Sequence, residues 1–485
     1  METSTILNSL KDFGVMRCCS AAAAFLLASF IATVFYNILF SPLKKFPGPK
    51  LAAASVVPYW YNTLSGNSMI WLKSLHEKYG DVVRISPDRL SYINPEAWRD
   101  IYGHRTAGHK ANPKDSHDQR HGEVRKIFSN AFSERALKLQ ESLIMRSVDK
   151  LIGNIHTAIK NDPEVRLDIV KLYNCTTFDI MGELTFGETL GLLDKSEYSP
   201  WVSAIFRSVK AIEFGRLSLD YPILRRIMDI VLPASISKGE DEHYKYSSDR
   251  VDRRLEKGAD QADIWNLVLH KNEGVLNLDE MHANGMIFMI AGTETTATLL
   301  SGLTYSLLTN PDKLQRAVEE VRSLPEDQLN LEVLPRLKYL SACFDEGFRT
   351  YPPVPTAMLR EVPEGGNVIC GEWVPAKTRI GVPQYVAYHS ASNFKDPDSF
   401  VPERWLPGTG YDDDKKEVLQ PFLYGPRNCI GKNLAYHEMR LIFSKVLWHF
   451  DLSICSESRE WTDQKVWSLW DKPPLWINAK KVERK

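Results

Sequence analysis

The clearest pattern along this chain is a break in polarity. From Cys18 to Phe40 no charged residue occurs, and the run CCSAAAAFLLASFIATVFYNILF predicts one continuous apolar helix. At 1.5 Å per residue such a helix spans roughly 35 Å, enough to cross a bilayer. A cleaved leader has a shorter apolar run ending in small residues, whereas this one ends in Asn37-Ile38-Leu39-Phe40. The expectation is therefore a tail at 1–17 and a single transmembrane anchor at 18–40. A proline-rich hinge follows at 41–50, around Phe46-Pro47-Gly48-Pro49, where proline stiffens the backbone. Lys44, Lys45 and Lys50 follow the run against Lys11 and Arg17 before it, which favours a cytosolic body.

Beyond residue 50 the pattern turns amphipathic and mostly helical. Val82–Ile85 and Leu90–Ile93 alternate around Pro87-Asp88 and predict a hairpin. Residues 119–150 read as helices, with Phe132-Ser133-Glu134-Arg135 as a cap and restart. Asp279 to Leu308 predicts a long helix rich in Gly and Ala, stopped at Asn310-Pro311; further helices run from Asp312 to about Leu324 and from Leu337 to Thr350. Short strands are expected near Val368-Ile369 and Arg379–Val382. No internal repeat or later linker appears, so residues 51–485 are expected to form one domain, mainly α with small β-sheets.

Composition narrows the function. With 60 Lys plus Arg against 61 Asp plus Glu, there is no basic excess of the kind a nucleic-acid binder shows. Seven cysteines, widely spaced and without a CxxC pair, exclude a disulfide scaffold or zinc cluster and point to a reducing compartment. One of the seven stands apart. In Pro421-Phe422-Leu423-Tyr424-Gly425-Pro426-Arg427-Asn428-Cys429-Ile430-Gly431, the cysteine sits in a Gly-flanked loop just before an apolar helix starting near Lys432. Helix-start N–H groups favour a thiolate there. Gly425 and Gly431 allow backbone to approach a flat ligand, and Arg427 can pair with a carboxylate on it.

This register resembles the haem-binding loop of the cytochrome P-450 family, in which a cysteine thiolate ligates haem iron. Other matching elements follow in order. Glu346-Gly347-Phe348-Arg349 resembles the family's ExxR pair, and Pro402-Glu403-Arg404-Trp405 its partner segment, so the resemblance implies a buried triad of Glu346, Arg349 and Arg404. Ala291-Gly292-Thr293-Glu294-Thr295-Thr296 is similar to the oxygen-binding helix, which implies space for dioxygen at Ala291 and Gly292 and proton delivery by Glu294 and Thr295. His121 and Arg125, one turn apart, could both reach one haem propionate, and Arg360 matches the strand arginine that meets the other. Phe422 and Gly431 complete the expected cofactor contacts.

The resemblance thus implies a single P-450-type domain with haem b on Cys429, inserting one oxygen atom from O2 into a lipophilic molecule by hydroxylation or epoxidation. Electrons would come from NADPH through a separate membrane-bound flavoprotein reductase, since the chain has no flavin or nicotinamide fingerprint. That reductase is expected near Cys429, at Lys126, Lys138, Lys432 and Arg440. Endoplasmic reticulum localisation, single-pass, with the body cytosolic and acting as a monomer, follows the same resemblance. FPGPKLAA, SERAL and GKNLAYHEMRLI are most similar to filamentous-fungal members of secondary-metabolite pathways, implying a terpenoid, polyketide or alkaloid intermediate. By the same resemblance, substrate contacts are expected around residues 103–118, 200–230, 284–295, 354–359 and 466–470, which include Ile205, Phe206, Phe214, Phe288, Met289, Val354, Trp467 and Leu469. Two other classes stay open on the residues: a reductase-independent haem-thiolate isomerase or dehydratase, and a non-enzymatic haem carrier or sensor. The acid–alcohol pair Glu294-Thr295 argues against the first.

Overall fold

A computed structural model of the chain describes residues 20–104, 118–221, 235–257, 263–269 and 276–483. The fold is mainly helical with small sheets. Its axis is the helix Leu278–Leu308, which the sequence marks at both ends. Asn277 Oδ1 accepts the Glu280 N–H at 2.8 Å while Glu280 Oε2 accepts the Asn277 N–H at 3.1 Å, a reciprocal capping box. Pro311 forbids continuation and opens the next helix, Pro311–Arg322. The second half of the axial helix is buried nearly all round, and it packs most extensively on Ile169–Phe186, itself buried along almost its whole length. Ser133 caps Glu134–Asn161, its Oγ accepting the Ala136 N–H at 3.3 Å.

The small sheets position edges rather than build the core. Val82–Ser86 and Arg89–Tyr92 form the antiparallel hairpin, with a bulge between Arg84 and Ser86. Arg379–Gly381 lies parallel to the second strand, and the short Arg360–Glu361 closes the sheet antiparallel to it. This register fixes Arg360 at a sheet edge. A second sheet joins Arg166–Asp168, Trp476–Lys481 and Phe450–Ile454, tying the C-terminal segment to the start of helix Ile169–Phe186.

Two described helices are long and apolar enough to cross a membrane, Ser20–Phe40 and Leu278–Leu308. The latter is the core axis. The former has none of its apolar window buried, and Phe25, Leu26, Phe30 and Phe40 are exposed. Residues 1–19, including Cys18 and Cys19, lie outside the described residues. The segment expected to act as a hinge is packed in place. Buried Arg84 donates to the carbonyls of Asn37 (2.9 Å) and Pro87 (2.9 Å) and to Ser41 Oγ (3.2 Å). Its own N–H bonds the Pro47 carbonyl at 2.7 Å, and Asn37 Nδ2 donates to Ala54 O at 3.1 Å. A Cβ at Gly48 would collide with the Arg84 carbonyl oxygen. The join between apolar helix and body is thus a fixed joint.

Candidate active site

The cysteine loop is closed by its own backbone. Cys429 N–H donates to Phe422 O at 2.8 Å, and Asn428 N–H to Gly425 O at 3.0 Å. Leu423 and Gly425 both take positive φ, 64° and 76°. Gly425 has a second reason to be glycine: a Cβ there would collide with the Tyr102 carbonyl oxygen. The end of helix Glu96–Tyr102 is thus enough by itself to demand glycine at this position. After the loop, Gly431 caps helix Lys432–His449.

Cys429 is exposed, whereas Cys175, Cys343 and Cys455 are buried and Cys370 is half-buried. Its thiol borders a cavity of about 520 Å³. Desolvation by the surrounding protein pushes the thiol's pKa up, opposed by a hydrogen bond from the Gly431 N–H and by the charges of Arg125 and Lys432. The helix-start effect expected from the sequence is present, but desolvation outweighs it. A thiolate at this position calls for a bonded cation, and metal coordination deprotonates a thiol outright.

Opposite the loop, Phe288, Ala291, Gly292, Thr295 and Thr296 of the axial helix form the second wall. Phe288 stands edge-on to Phe128 and Phe132 at 5.0 and 5.6 Å. Gly292 admits Met181, whose Sδ would lie 2.6 Å from a Cβ there, so part of the space anticipated for dioxygen is taken by a thioether. Thr295 faces the cavity and its hydroxyl donates to Ala291 O at 2.6 Å.

Glu294 is not on this wall. The cavity face of the helix carries residues 287, 288, 291, 292, 295 and 296, and at about 100° per residue position 294 falls off that face. Its carboxylate is buried and ion-paired with Lys472, whose Nζ also donates to Thr298 Oγ1 at 2.6 Å. Of the expected acid–alcohol pair, the structure thus sets Thr295 on the cavity wall and Glu294 off it, in an ion pair. The pair crosslinks the axial helix to the C-terminal segment. Lys472→Met should cost about 1–3 kcal/mol, because it strands a buried carboxyl; urea unfolding reads this, and an unchanged midpoint would contradict it.

Around the rim, His121, Arg360 and Arg427 border the cavity, as do Phe422 and Gly431. Arg360 lies over the Tyr102 ring at 5.4 Å. Arg125 does not border it. Its guanidinium donates to Asn428 O (2.7 Å) and Asn428 Oδ1 (2.5 Å), so it braces the cysteine loop rather than reaching the cavity beside His121. Of the expected substrate contacts, Phe288 and Val354 line the cavity, joined by Ile287 and Met358 from the same two segments. Met289 and Ile205 are core residues, Phe214 is exposed and Leu469 half-buried. Trp467 donates from Nε1 to Leu64 O at 3.0 Å. The side chain of Phe206 lies outside the described residues, as do residues 105–117.

Behind the loop sits a wholly buried ionic cluster. Arg349 donates from Nε and Nη2 to Glu346 at 2.9 and 2.7 Å, and Arg404 Nε approaches both Glu346 oxygens at 3.2 and 3.1 Å. Trp405 Nε1 and Val401 N–H add bonds of 2.9 and 2.8 Å. A fourth member, Asp414, pairs with Arg404 and balances the charge. Nothing in Asp412-Asp413-Asp414 distinguishes it from a solvated acidic run, so the sequence reading missed it. Of the residues anticipated for a basic patch, Lys138 is engaged by Glu332 and Arg440 is half-buried over the Tyr436 ring at 4.8 Å. Lys126 and Lys432 are the exposed remainder of the anticipated basic patch.

An exposed thiol on a largely apolar cavity, with two guanidinium groups and an imidazole at its border, fits a flat apolar ligand carrying anionic groups and a thiophilic metal. Comparison with known proteins agrees. The family model described as Cytochrome P450 matches residues 55–477. The chain is 50% identical over 469 residues to "Cytochrome P450 monooxygenase FUM2" of Gibberella moniliformis, covering 93% of this chain and 100% of that one. It is 44% identical over 466 residues to "Cytochrome P450 monooxygenase AMT3" of Alternaria alternata (92% and 95%). An "Averantin hydroxylase" of Dothistroma septosporum is 39% identical over 501 residues (96% and 93%).

Proposed function

The chain belongs to the cytochrome P450 family, and from that premise we propose that it is a membrane-anchored haem-thiolate monooxygenase acting on a lipophilic small molecule. The observation that carries this reading is the Cys429 thiol open to the cavity. Cys429 would hold the iron of haem b, with Arg427, Arg360 and His121 meeting its anionic groups and Phe422 and Gly431 lining its bed. When bound, that group supplies reductive activation of dioxygen; the protein supplies ligand, pocket and proton handling.

Phe288, Val354 and Met358 give the substrate an apolar bed and keep bulk water from the reacting atoms. Thr295 can turn its Oγ1 from the Ala291 carbonyl to hold a water in the cavity. Arg125 fixes Asn428, and through it the direction of the Cys429 thiol. Electrons come from NADPH through a separate membrane-bound flavoprotein reductase, docking over Lys126 and Lys432. The apolar helix Ser20–Phe40 anchors the protein in the endoplasmic reticulum membrane, with the body on the cytosolic side and functional as a monomer. A relative named as a hydroxylase favours hydroxylation, and the named monooxygenases favour a fungal secondary-metabolite intermediate of terpenoid, polyketide or alkaloid type.

The test is microsomal co-expression with a flavoprotein reductase, scoring products by mass against a panel of terpenoid, indole and polyketide intermediates. Gain of one oxygen, dependent on NADPH, is expected. Rearrangement of a hydroperoxide without reductase, and no oxygen gain from any panel member, would overturn the reading.

A further inference from the structure

Phenylalanine walls the thiolate side of the cavity, and a tyrosine stands directly behind it. No tyrosine or tryptophan lines the cavity itself among the described residues. Phe348 and Phe422 do, and Tyr436 of helix Lys432–His449 packs against both, at ring-centroid distances of 5.7 and 5.1 Å. Phe422 and Tyr436 also line a second cavity, again of about 520 Å³, together with Asp345, Asn428 and Lys432. The Phe422 ring is thus shared by the two cavities. The Tyr436 phenol is hydrogen-bonded to the Asp345 carboxylate. Burial, aided by the charge of Glu346, pushes that carboxyl up to about 6, against Arg440, Lys432 and the phenol. At neutral pH it is therefore an anion, and a stronger base than an exposed aspartate. The Arg440 guanidinium lies over the Tyr436 ring at 4.8 Å.

A phenol gives up an electron readily when its proton can leave to a base at the same time; phenylalanine has no such proton. Tyr436 has that base in Asp345. The guanidinium above its ring disfavours any positive charge left there, so electron and proton must leave together. Tyr102, which packs beneath Arg360 at the cavity rim, is built differently: its phenol oxygen accepts the Val382 N–H at 3.1 Å. We infer that Tyr436 and Asp345 form a redox-active pair that drains oxidising equivalents from the cavity when no substrate takes the oxygen. The inference rests on the monooxygenase reading above, which supplies the oxidant: dioxygen with reductase electrons, or a peroxide, at the cofactor on Cys429. In the step, the Tyr436 O–H bond breaks. Its electron crosses the Phe422 contact and reduces the oxidised cofactor by one electron, while its proton goes to an Asp345 oxygen. The products are a neutral tyrosyl radical and a protonated Asp345. One electron from the reductase and the same proton, returned by Asp345, restore the phenol. Lys432, assigned above to the reductase face, borders the same second cavity.

Two measurements on the full-length haem-loaded chain test this, and neither needs the substrate. In the first, the protein is mixed with meta-chloroperoxybenzoic acid, rapidly frozen and read by electron paramagnetic resonance. A tyrosyl signal is expected, and it should narrow when the protein carries ring-deuterated tyrosine. Tyr436→Phe should lose most of that signal. So should Asp345→Asn, in which the phenol is intact and only the base is missing. In the second, haem absorbance is followed under cumene hydroperoxide. Both variants should bleach several times faster than wild type, because the oxidising equivalents then stay in the cavity. The reduced carbon-monoxide band and the unfolding midpoint should match wild type, which separates loss of the pair from loss of structure. A tyrosyl signal undiminished in either variant, or bleaching no faster than in wild type, would overturn the inference. So would the lack of any tyrosyl signal in wild type that shows the full carbon-monoxide band. Absence of that band in wild type would instead sink the haem reading, and this inference with it.

Discussion

Glu346→Ala is expected to leave a chain that does not accumulate in folded form. Glu346, Arg349 and Arg404 are each fully buried, and the one carboxylate satisfies two guanidinium groups, the Trp405 indole and the Val401 amide. Removing it strands two arginines with only Asp414 left to balance them. Breaking a buried ion pair by deleting one partner costs about 3–5 kcal/mol, and here two pairs share that partner. Against a typical total stability of about 5–15 kcal/mol, such a loss removes most or all of the folded population. The effect reaches the active site because the same cluster binds the backbone that leads to the cysteine loop: Arg349 holds the carbonyls of Tyr388, Pro397 and Ser399, and Arg404 that of Lys395. Yield of soluble body after detergent extraction and the urea midpoint measure the outcome. A variant within about 1 kcal/mol of wild type would mean the cluster is not the brace its bonding implies.

The cluster also marks the boundary of what was legible in the sequence. Glu346 and Arg349 lie three apart on a helix, and Arg404 sits in a segment that resembles their family partner, so three members could be named in advance. Asp414 could not, because an acidic run carries no sign of which carboxylate turns inward. The same division runs through the cavity. A thiol in a glycine-bounded loop before a helix is a local pattern, and the axial helix is announced by Asn277, Glu280 and Pro311. The direction of Glu294 depends on Lys472, 178 positions away in the chain, and no local pattern reports that. The spacing of Arg125 from His121 lets both reach one propionate, and it carries no sign of the Asn428 groups that Arg125 bonds in the structure. Glu438 reads as one more polar residue in an amphipathic helix until the fold places it against the cavity. Periodicity gives the face of a helix; what packs on that face comes from distant chain.

The joint below the apolar helix teaches a related lesson. Prolines and glycine at 46–49 predict a stiff hinge, and in the structure the same segment is hydrogen-bonded to the body. Arg84 ties Asn37, Ser41 and Pro87 together, so the apolar helix leaves the body at a set angle.

The central claim is that Cys429 is the iron ligand, and Cys429→Ser with haem added during expression tests it most directly. Serine keeps the size and the loop bond from the Cys429 N–H to Phe422 O, so the fold should survive. Its hydroxyl is a harder donor with a far higher pKa than a thiol, and cannot supply the soft thiolate that defines this ligation. No other described cysteine can substitute, since Cys175, Cys343 and Cys455 are buried in the core and Cys370 is not on the cavity. Reduced wild type under carbon monoxide should show the absorption band typical of thiolate-ligated haem, and reduced Cys429→Ser should lack it entirely. Persistence of that band in the serine variant would contradict the assignment of the site.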